Sequence, residues 1–356
     1  MINIAKAKQL PSGSWRVQVF DGTDERGKRK YISFTADTSK EAELLALEYQ
    51  LKKKRSDKPK NITVGEVIDR YIESKDAVLS PSTIREYNRM RNNYIQNLIN
   101  VKLDKVTPEL IQRELNKEAK THSPKTLKNI NNLLMPSLKE YFPNTVFKTT
   151  LPQRQKKDIY IPTHEDIKIL MKAAKETKLY IPILLAVYLG LRRSEISALR
   201  WQDINFKNMT VTIRQARVLN DENEKVIKSP KTYTSNRVIK VSKALCNELA
   251  KYKNDNRSDG TDEFVTDVNL DYMTHGCAKL IKAIGVPHFR FHDLRHFNAS
   301  VMLMLRIPDK YAMERGGWAT EYTMKNVYQH TFESETNEYE NQVNNYMDNL
   351  LMENND

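Results

Sequence analysis

Three Ser/Thr–Pro pairs, Ser80-Pro81, Thr107-Pro108 and Ser123-Pro124, constrain this chain more than any other feature. Proline has no N–H and a fixed φ, so it fits a helix only in the first turn. A Ser or Thr just before it supplies the oxygen that the unpaired first-turn N–H groups need. Each pair therefore predicts a helix start. A fourth start precedes them, where Thr63 and Glu66 form a capping box ahead of Val64, Val67, Ile68, Tyr71 and Ile72 at helical spacing. The stretch 61–150 is thus expected to be a helical bundle.

The flanking segments follow different rules. Near the N-terminus, Trp15–Phe20 alternates in polarity, a turn-rich run Asp21–Gly27 follows, and Lys30–Phe34 makes a second strand. Thr38 and Glu41 then cap a helix with Ala42, Leu45, Ala46 and Tyr49 on one stripe, which is expected to run into a cationic linker, Lys52–Lys60. After Asp158, Thr163 caps a helix over 164–175, and Ile181–Leu189 is a wholly apolar helix. Strands are expected at Met209–Arg214, Glu224–Lys228 and Arg237–Val241. The tail beyond Ser334 places Tyr339, Val343, Tyr346, Met347, Leu350 and Leu351 near one helical stripe. A chain of 356 residues exceeds one ordinary core. The expectation is a multidomain α+β protein: a small three-stranded sheet with a helix (1–57), a helical domain (61–150), and a mainly helical domain with a small antiparallel sheet (155–356).

Charge narrows the partners. Lys and Arg exceed Asp and Glu by 13, most densely at the N-terminal end, which suits a polyanion such as nucleic acid or simply a basic surface. Arg16, Lys28, Arg29 and Lys30 lie on or beside the strands. Arg85, Arg89, Arg91, Lys125 and Lys128 lie near helix starts, where backbone N–H groups and cations together suit phosphate. Cys246 and Cys277 have no second pair, so neither a zinc site nor a disulfide framework is expected. No run of about 20 apolar residues would cross a membrane, and no signal peptide opens the chain, so a cytoplasmic protein is expected.

Four stretches of the third segment hold chemistry: Gly190-Leu191-Arg192-Arg193-Ser194-Glu195, Ser229-Pro230-Lys231-Thr232, His292-Asp293-Leu294-Arg295-His296, and Gly316-Gly317-Trp318 with Tyr328-Gln329-His330. Singly, each has a plain explanation. Arg192 and Glu195 could pair on a helix surface, Lys231 could be an exposed hairpin lysine, and the histidines a polar helix face. Tyr328 is one of 17 tyrosines, with Tyr322 close by.

In this order and spacing the motifs resemble the tyrosine recombinase (phage integrase) family. Its signature is G-L-R-x-S-E, a lysine on a β-turn, H-x-L-R-H, then G-H or G-W, and a tyrosine often followed by x-H. The first two segments resemble, in outline alone, the family's arm-type and core-binding DNA-binding domains. The resemblance implies Arg192, Lys231, His292, Arg295, Trp318 and the nucleophile Tyr328 as catalytic, supported by Glu195 and His296. Trp318 stands where many relatives carry histidine, and an indole N–H can donate but cannot exchange protons near neutral pH.

Elementary chemistry agrees with these roles. Planar, permanently charged guanidiniums suit the charge that builds on a five-coordinate phosphorus. Lys231 would protonate the leaving 5′-oxygen, and His292 would take the phenol proton with help from His296. Glu195 would orient the arginines. No metal or other cofactor is expected. The implied partners are double-stranded DNA attachment sites and a homotetramer on that DNA; whether accessory DNA-bending and directionality proteins join them is left open by the sequence. The implied activity is integration or excision of a mobile element in a bacterial host, with a C-terminal tail docking on a neighbouring subunit. Two alternatives stand: a type IB topoisomerase-like nicking-closing enzyme, and a non-catalytic DNA-binding regulator on the same scaffold.

Overall fold

The computed structural model describes residues 6–23, 28–56, 61–142, 145–153, 160–228, 236–256, 260–328 and 343–345. The chain forms two compact units, Met1–Leu79 with Glu86–Arg154, and Ser80–Arg85 with Gln155–Asp356.

The first unit begins with an antiparallel sheet of β1 (Lys8–Gln9), β2 (Trp15–Thr23) and β3 (Arg29–Ala36), in that order. Alternation along β2 buries Val17 and Val19 against Ala42 and Ala46 of α1 (Ser39–Ser56). Arg16, Gln18 and Phe20 consequently take the exposed face. The Thr38 hydroxyl accepts from the Glu41 amide at 3.3 Å, as a capping box requires. The helix continues through Ser56, so the cationic run expected as linker from Lys52 begins as helix. Lys and Arg are good helix formers, and no proline or glycine intervenes before Pro59.

The helical part contains α2 (Val64–Lys75), α3 (Pro81–Asn93), the short α4 (Gln96–Ile99), α5 (Pro108–Glu118) and α6 (Pro124–Lys139). Thr107 and Ser123 cap as the Ser/Thr–Pro pairs predict, accepting from Leu110 and Thr126 amides at 3.2 Å each. Val67, Ile68 and Ile72 of α2 share a core with Leu127, Ile130, Leu134 and Leu138 of α6.

In the second unit, Thr163 caps α7 (His164–Ala174) and the apolar run becomes α8 (Tyr180–Leu189), buried at nearly every position. Around α8 lie α9 (Arg193–Ala198), α10 (Lys243–Asp255), α11 (Leu270–Ala283) and α12 (Asp293–Met304). The single small sheet expected here resolves into two. One is three-stranded, β4 (Ile204–Asn205), β5 (Thr210–Ile213) and β8 (Arg237–Lys240), in that order; the other is the hairpin of β6 (Ala216–Leu219) with β7 (Lys225–Lys228). β5 therefore pairs with β8 across the intervening hairpin, with Ile213 opposite Arg237. A second cluster, Ala299, Met302, Ala312, Trp318 and Met324, packs α12 against α13 (Asp309–Gly316) and α14 (Glu321–Tyr328). Among the described residues, no helix is long and apolar enough to cross a membrane, and no group of His, Cys, Asp and Glu could hold a metal.

Candidate active site

The turn carrying Arg192 is fastened to α12 at three points. Gly190 ends α8 in the left-handed region at φ +62°, and a Cβ there would lie 2.7 Å from Asn298 Oδ1. Glycine alone satisfies both demands. Asn298 Nδ2 donates to the carbonyls of Val187 (2.8 Å) and Tyr188 (3.2 Å), and Arg295 Nη1 donates to the Gly190 carbonyl. Arg192 and Arg295 are thereby set side by side, although 103 residues of chain would otherwise separate them freely.

On α12 the HxLRH residues divide by face. Leu294 enters the core and Asp293 binds back to Arg290, accepting from its Nη2 at 2.9 Å. His292, Arg295 and His296 share the remaining side, as the i, i+3, i+4 spacing dictates. The His292 and His296 rings meet edge-on, 5.0 Å apart, and His296 stacks on Trp318 at 6.4 Å. Arg295 is 1% exposed, and its guanidinium lies 4.2 Å from the Trp318 ring centre, a cation–π contact in a desolvated setting. Its Nε and Nη2 are buried and have no hydrogen-bond partner among the described residues.

Glu195 sits between two arginines. Its Oε1 accepts from Arg192 Nη1 at 2.6 Å and Arg237 Nη1 at 3.4 Å. Its Oε2 accepts from Arg237 Nη2 at 2.9 Å and the Arg192 amide at 3.1 Å. Both arginines also grip the turn before Trp318: Arg192 Nη2 reaches the Gly317 carbonyl (2.9 Å), and Arg237 Nε that of Arg315 (3.0 Å). Gly317 lies at φ +64°, and a Cβ would approach Arg237 Nη1 to 2.7 Å.

The electrostatics follow from this crowding. Burial would raise the Glu195 pKa, but Arg237, then Arg192 and Arg295, outweigh it and hold the carboxyl down to about 2. Burial, then the positive field of His296, Arg295 and Arg192, pushes His292 down to about 4, leaving a neutral imidazole at pH 7. His292 keeps open surface, so a substrate can reach it. Burial and the neighbouring Arg192 lower Arg295 to about 9, still charged at neutral pH.

The structure thus brings together Arg192, Glu195, His292, Arg295, His296 and Trp318. Lys231, between β7 and β8, and His330 lie outside the described residues, as does the tail beyond Ser334 except 343–345. Tyr328 is the last residue of α14, while Tyr322 in its first turn is 76% exposed. In the first unit, Arg16, Lys28, Arg29, Lys30, Lys125 and Lys128 are exposed. Arg89 is paired with Glu86 at 2.7 Å and lies over the Tyr94 ring, and Arg91 is paired with Asp69. Arg85 is half-buried.

Sequence reasoning missed Arg237 and Asn298. Arg237 was within reach: β8 alternates, Arg237 shares the face of buried Ile239, and an arginine on an inward face requires an anion. Asn298 carried no such signal. Beside the site, an open groove of about 1430 Å³ is lined by Tyr188, Val238, Leu305, Tyr311 and Trp318, among others.

Residues 162–335 match the Phage integrase family, and residues 63–119 match the phage integrase N-terminal SAM-like domain. The first match contains the whole cluster and Tyr328. A tyrosine recombinase XerC-like protein of Caldanaerobacter subterraneus subsp. tengcongensis is 26% identical over 363 residues, spanning 89% of this chain and 92% of that protein. Solved integrase structures share the fold, among them the following two. The Tn1549 transposon integrase in complex with transposon right end DNA superposes with a TM-score of 0.65 at 18% identity, covering 79% of this chain and 100% of that one. A lambda integrase tetramer bound to a Holliday junction gives 0.56 at 15% identity, covering 92% and 95%.

Proposed function

The chain belongs to the phage integrase family of tyrosine recombinases and is a site-specific DNA recombinase, and on that premise we propose that Tyr328 breaks and rejoins DNA strands in the arginine cluster to integrate and excise a mobile element. One observation carries the placement of the chemistry. Arg295 is a buried cation whose Nε and Nη2 meet no partner among the described residues, a costly arrangement that a phosphate oxygen would relieve.

The step balances without an external energy source. The Tyr328 phenol oxygen attacks phosphorus and its proton passes to His292, whose imidazole is neutral at pH 7. Arg192 and Arg295 take the charge that builds on the non-bridging oxygens. The bond to the 5′-oxygen breaks as Lys231 gives that oxygen a proton, leaving a 3′-phosphotyrosine. A free 5′-hydroxyl from another strand reverses the sequence, with His292 returning the proton to the phenol. Trp318 holds Arg295 by its ring rather than acting as an acid.

The exposed sheet face with Arg16, Phe20 and Tyr31, and the adjoining Lys28, Arg29 and Lys30, would bind arm-type DNA. Arg85, Arg89, Lys125 and Lys128 would meet core-site phosphates. The assembly would be a homotetramer on two attachment sites in a bacterial cytoplasm, with accessory DNA-bending and directionality proteins. The tail after Ser334 would dock in the apolar groove of a neighbouring copy, where Val238, Leu305 and Tyr311 are more than half exposed. Removing residues 336–356 should then abolish recombination while sparing DNA binding; an unchanged recombinant yield would refute the docking.

The test of the whole reading is a nicked suicide duplex made from repeats flanking the gene. Wild type should form a covalent adduct, seen as a slower band on a denaturing gel, and Tyr328→Phe should form none. DNA binding with no adduct from either protein would favour the regulator. Relaxation of supercoiled plasmid without any pairing of sites would favour the topoisomerase.

A further inference from the structure

We infer that Arg237 is a positioning residue for strand cleavage, holding Glu195 so that Glu195 aims Arg192 and fixing the Arg315–Gly317 turn that seats Trp318. The inference rests on the recombinase reading above.

Three features argue that Arg237 does more than fill space. First, it contacts both oxygens of Glu195, the carboxylate that also receives Arg192 by side chain and by backbone. A carboxylate held by only one arginine can rotate about its terminal torsion. Held by both, it is pinned, and the Arg192 fork is pinned with it. Second, its Nε holds the Arg315 carbonyl while Arg192 holds that of Gly317. The two arginines thus fix one turn from two sides, and that turn sets the ring on which Arg295 rests. Third, Gly317 leaves no room for a Cβ against Arg237, so backbone and guanidinium are fitted to each other.

Among the described residues, the charged groups facing Glu195 are Arg192 from the start of α9, Arg237 from β8 and Arg295 from α12. Arg237 is the strongest of the three in keeping the carboxyl ionised. Without it, burial is opposed only by the other two, and Glu195 takes up a proton at higher pH. A protonated Glu195 can no longer accept from Arg192 at both oxygens, so cleavage weakens.

The experiment measures single-turnover adduct formation on a suicide duplex that wild type cleaves, for Arg237→Gln, Arg237→Lys, Glu195→Gln and the double variant Arg237→Gln/Glu195→Gln. DNA affinity and melting temperature are read in parallel. Arg237→Gln should lower the rate on the order of 10–100-fold, the range for partners that orient reacting groups. Its rate should fall further as pH drops, over a range where wild type is flat. Arg237→Lys should recover part of the rate and restore the flat profile. The double variant should be no slower than the slower single one. Equal pH profiles in wild type and Arg237→Gln, or additive losses in the double variant, would overturn the inference and mark Arg237 as structural alone. If Arg237→Gln does not fold, the profile and rate of Arg237→Lys decide: a wild-type rate refutes the role. A wild type that forms no adduct on any flanking-repeat duplex would overturn the recombinase reading and this inference together.

Discussion

Arg295 and Arg16 carry the same guanidinium, and the protein sets them in opposite surroundings. Arg295 is sealed beneath Trp318 and bonded to the Gly190 carbonyl, within a set of residues drawn from α9, α12, β8 and the α13–α14 turn. Arg16 stands open on a three-stranded sheet, opposite Lys8 on one side and Thr35 on the other. A buried charge is stiff, strongly felt and costly to leave unpaired. An exposed one is mobile, screened by salt and nearly interchangeable with its neighbours. The first kind suits a transition state, where position decides the rate. The second suits a DNA backbone, where many small attractions add.

Substitution should separate the two kinds. The largest effect is expected at Arg295→Lys, which keeps a cation but loses the planar fork. Adduct formation should fall about 10³-fold, the loss typical of removing a transition-state donor, with DNA affinity nearly unchanged. A rate within a few-fold of wild type would mean that burial of Arg295 serves stability alone.

Glu195 tests the stability side of the same contrast. Its folded-state pKa of about 2 lies below the ordinary 4.5, so its contribution is present above pH 4.5 and lost as pH falls toward 2. Glu195→Gln should therefore unfold more easily than wild type at neutral pH, by about 3–5 kcal/mol in urea melts. The gap should narrow below pH 4.5, and a gap independent of pH would contradict an ionised Glu195. By the same crowding, His292 should show no titration between pH 6 and 8 in a DNA-free NMR series.

The smallest effects belong to the exposed set. Single changes at Arg16, Lys28, Arg29 or Lys30 to Ala should weaken arm-site binding a few-fold each. Each lost phosphate contact should reduce the salt slope by about 0.9, leaving the adduct rate on a core-site duplex untouched. A change that slows cleavage would place that residue with Arg295 rather than with Arg16.

What was legible beforehand follows the same division. Helix starts were plain because Ser123-Pro124 and Thr63 with Glu66 carry their reason locally, in caps and fixed φ. The candidate site residues could be nominated because the motifs around Arg192, His292 and Tyr328 keep a fixed order, and the structure brings Arg192, Glu195, His292, Arg295, His296 and Trp318 of that set together. Illegible were features set by distant partners. Nothing near Asn298 announces that it closes α8 across 111 residues. Nothing near Met209 says that β5 will pair with β8, leaving β6 and β7 as a separate hairpin. The helix end at Ser56 was misjudged because a lysine-rich run is both a good helix and a good linker, and charge alone does not choose between them.

α8 is buried at nearly every position, and its last carbonyls and the following glycine are the points to which Asn298 and Arg295 are tied. Such a helix has no local route of opening; its amides exchange with solvent only when the whole core opens. The arginine geometry therefore lasts as long as the catalytic unit itself lasts. Warming or mild denaturant can loosen surface loops first, but the arginine arrangement is expected to fail only in the same cooperative event that melts the unit around it.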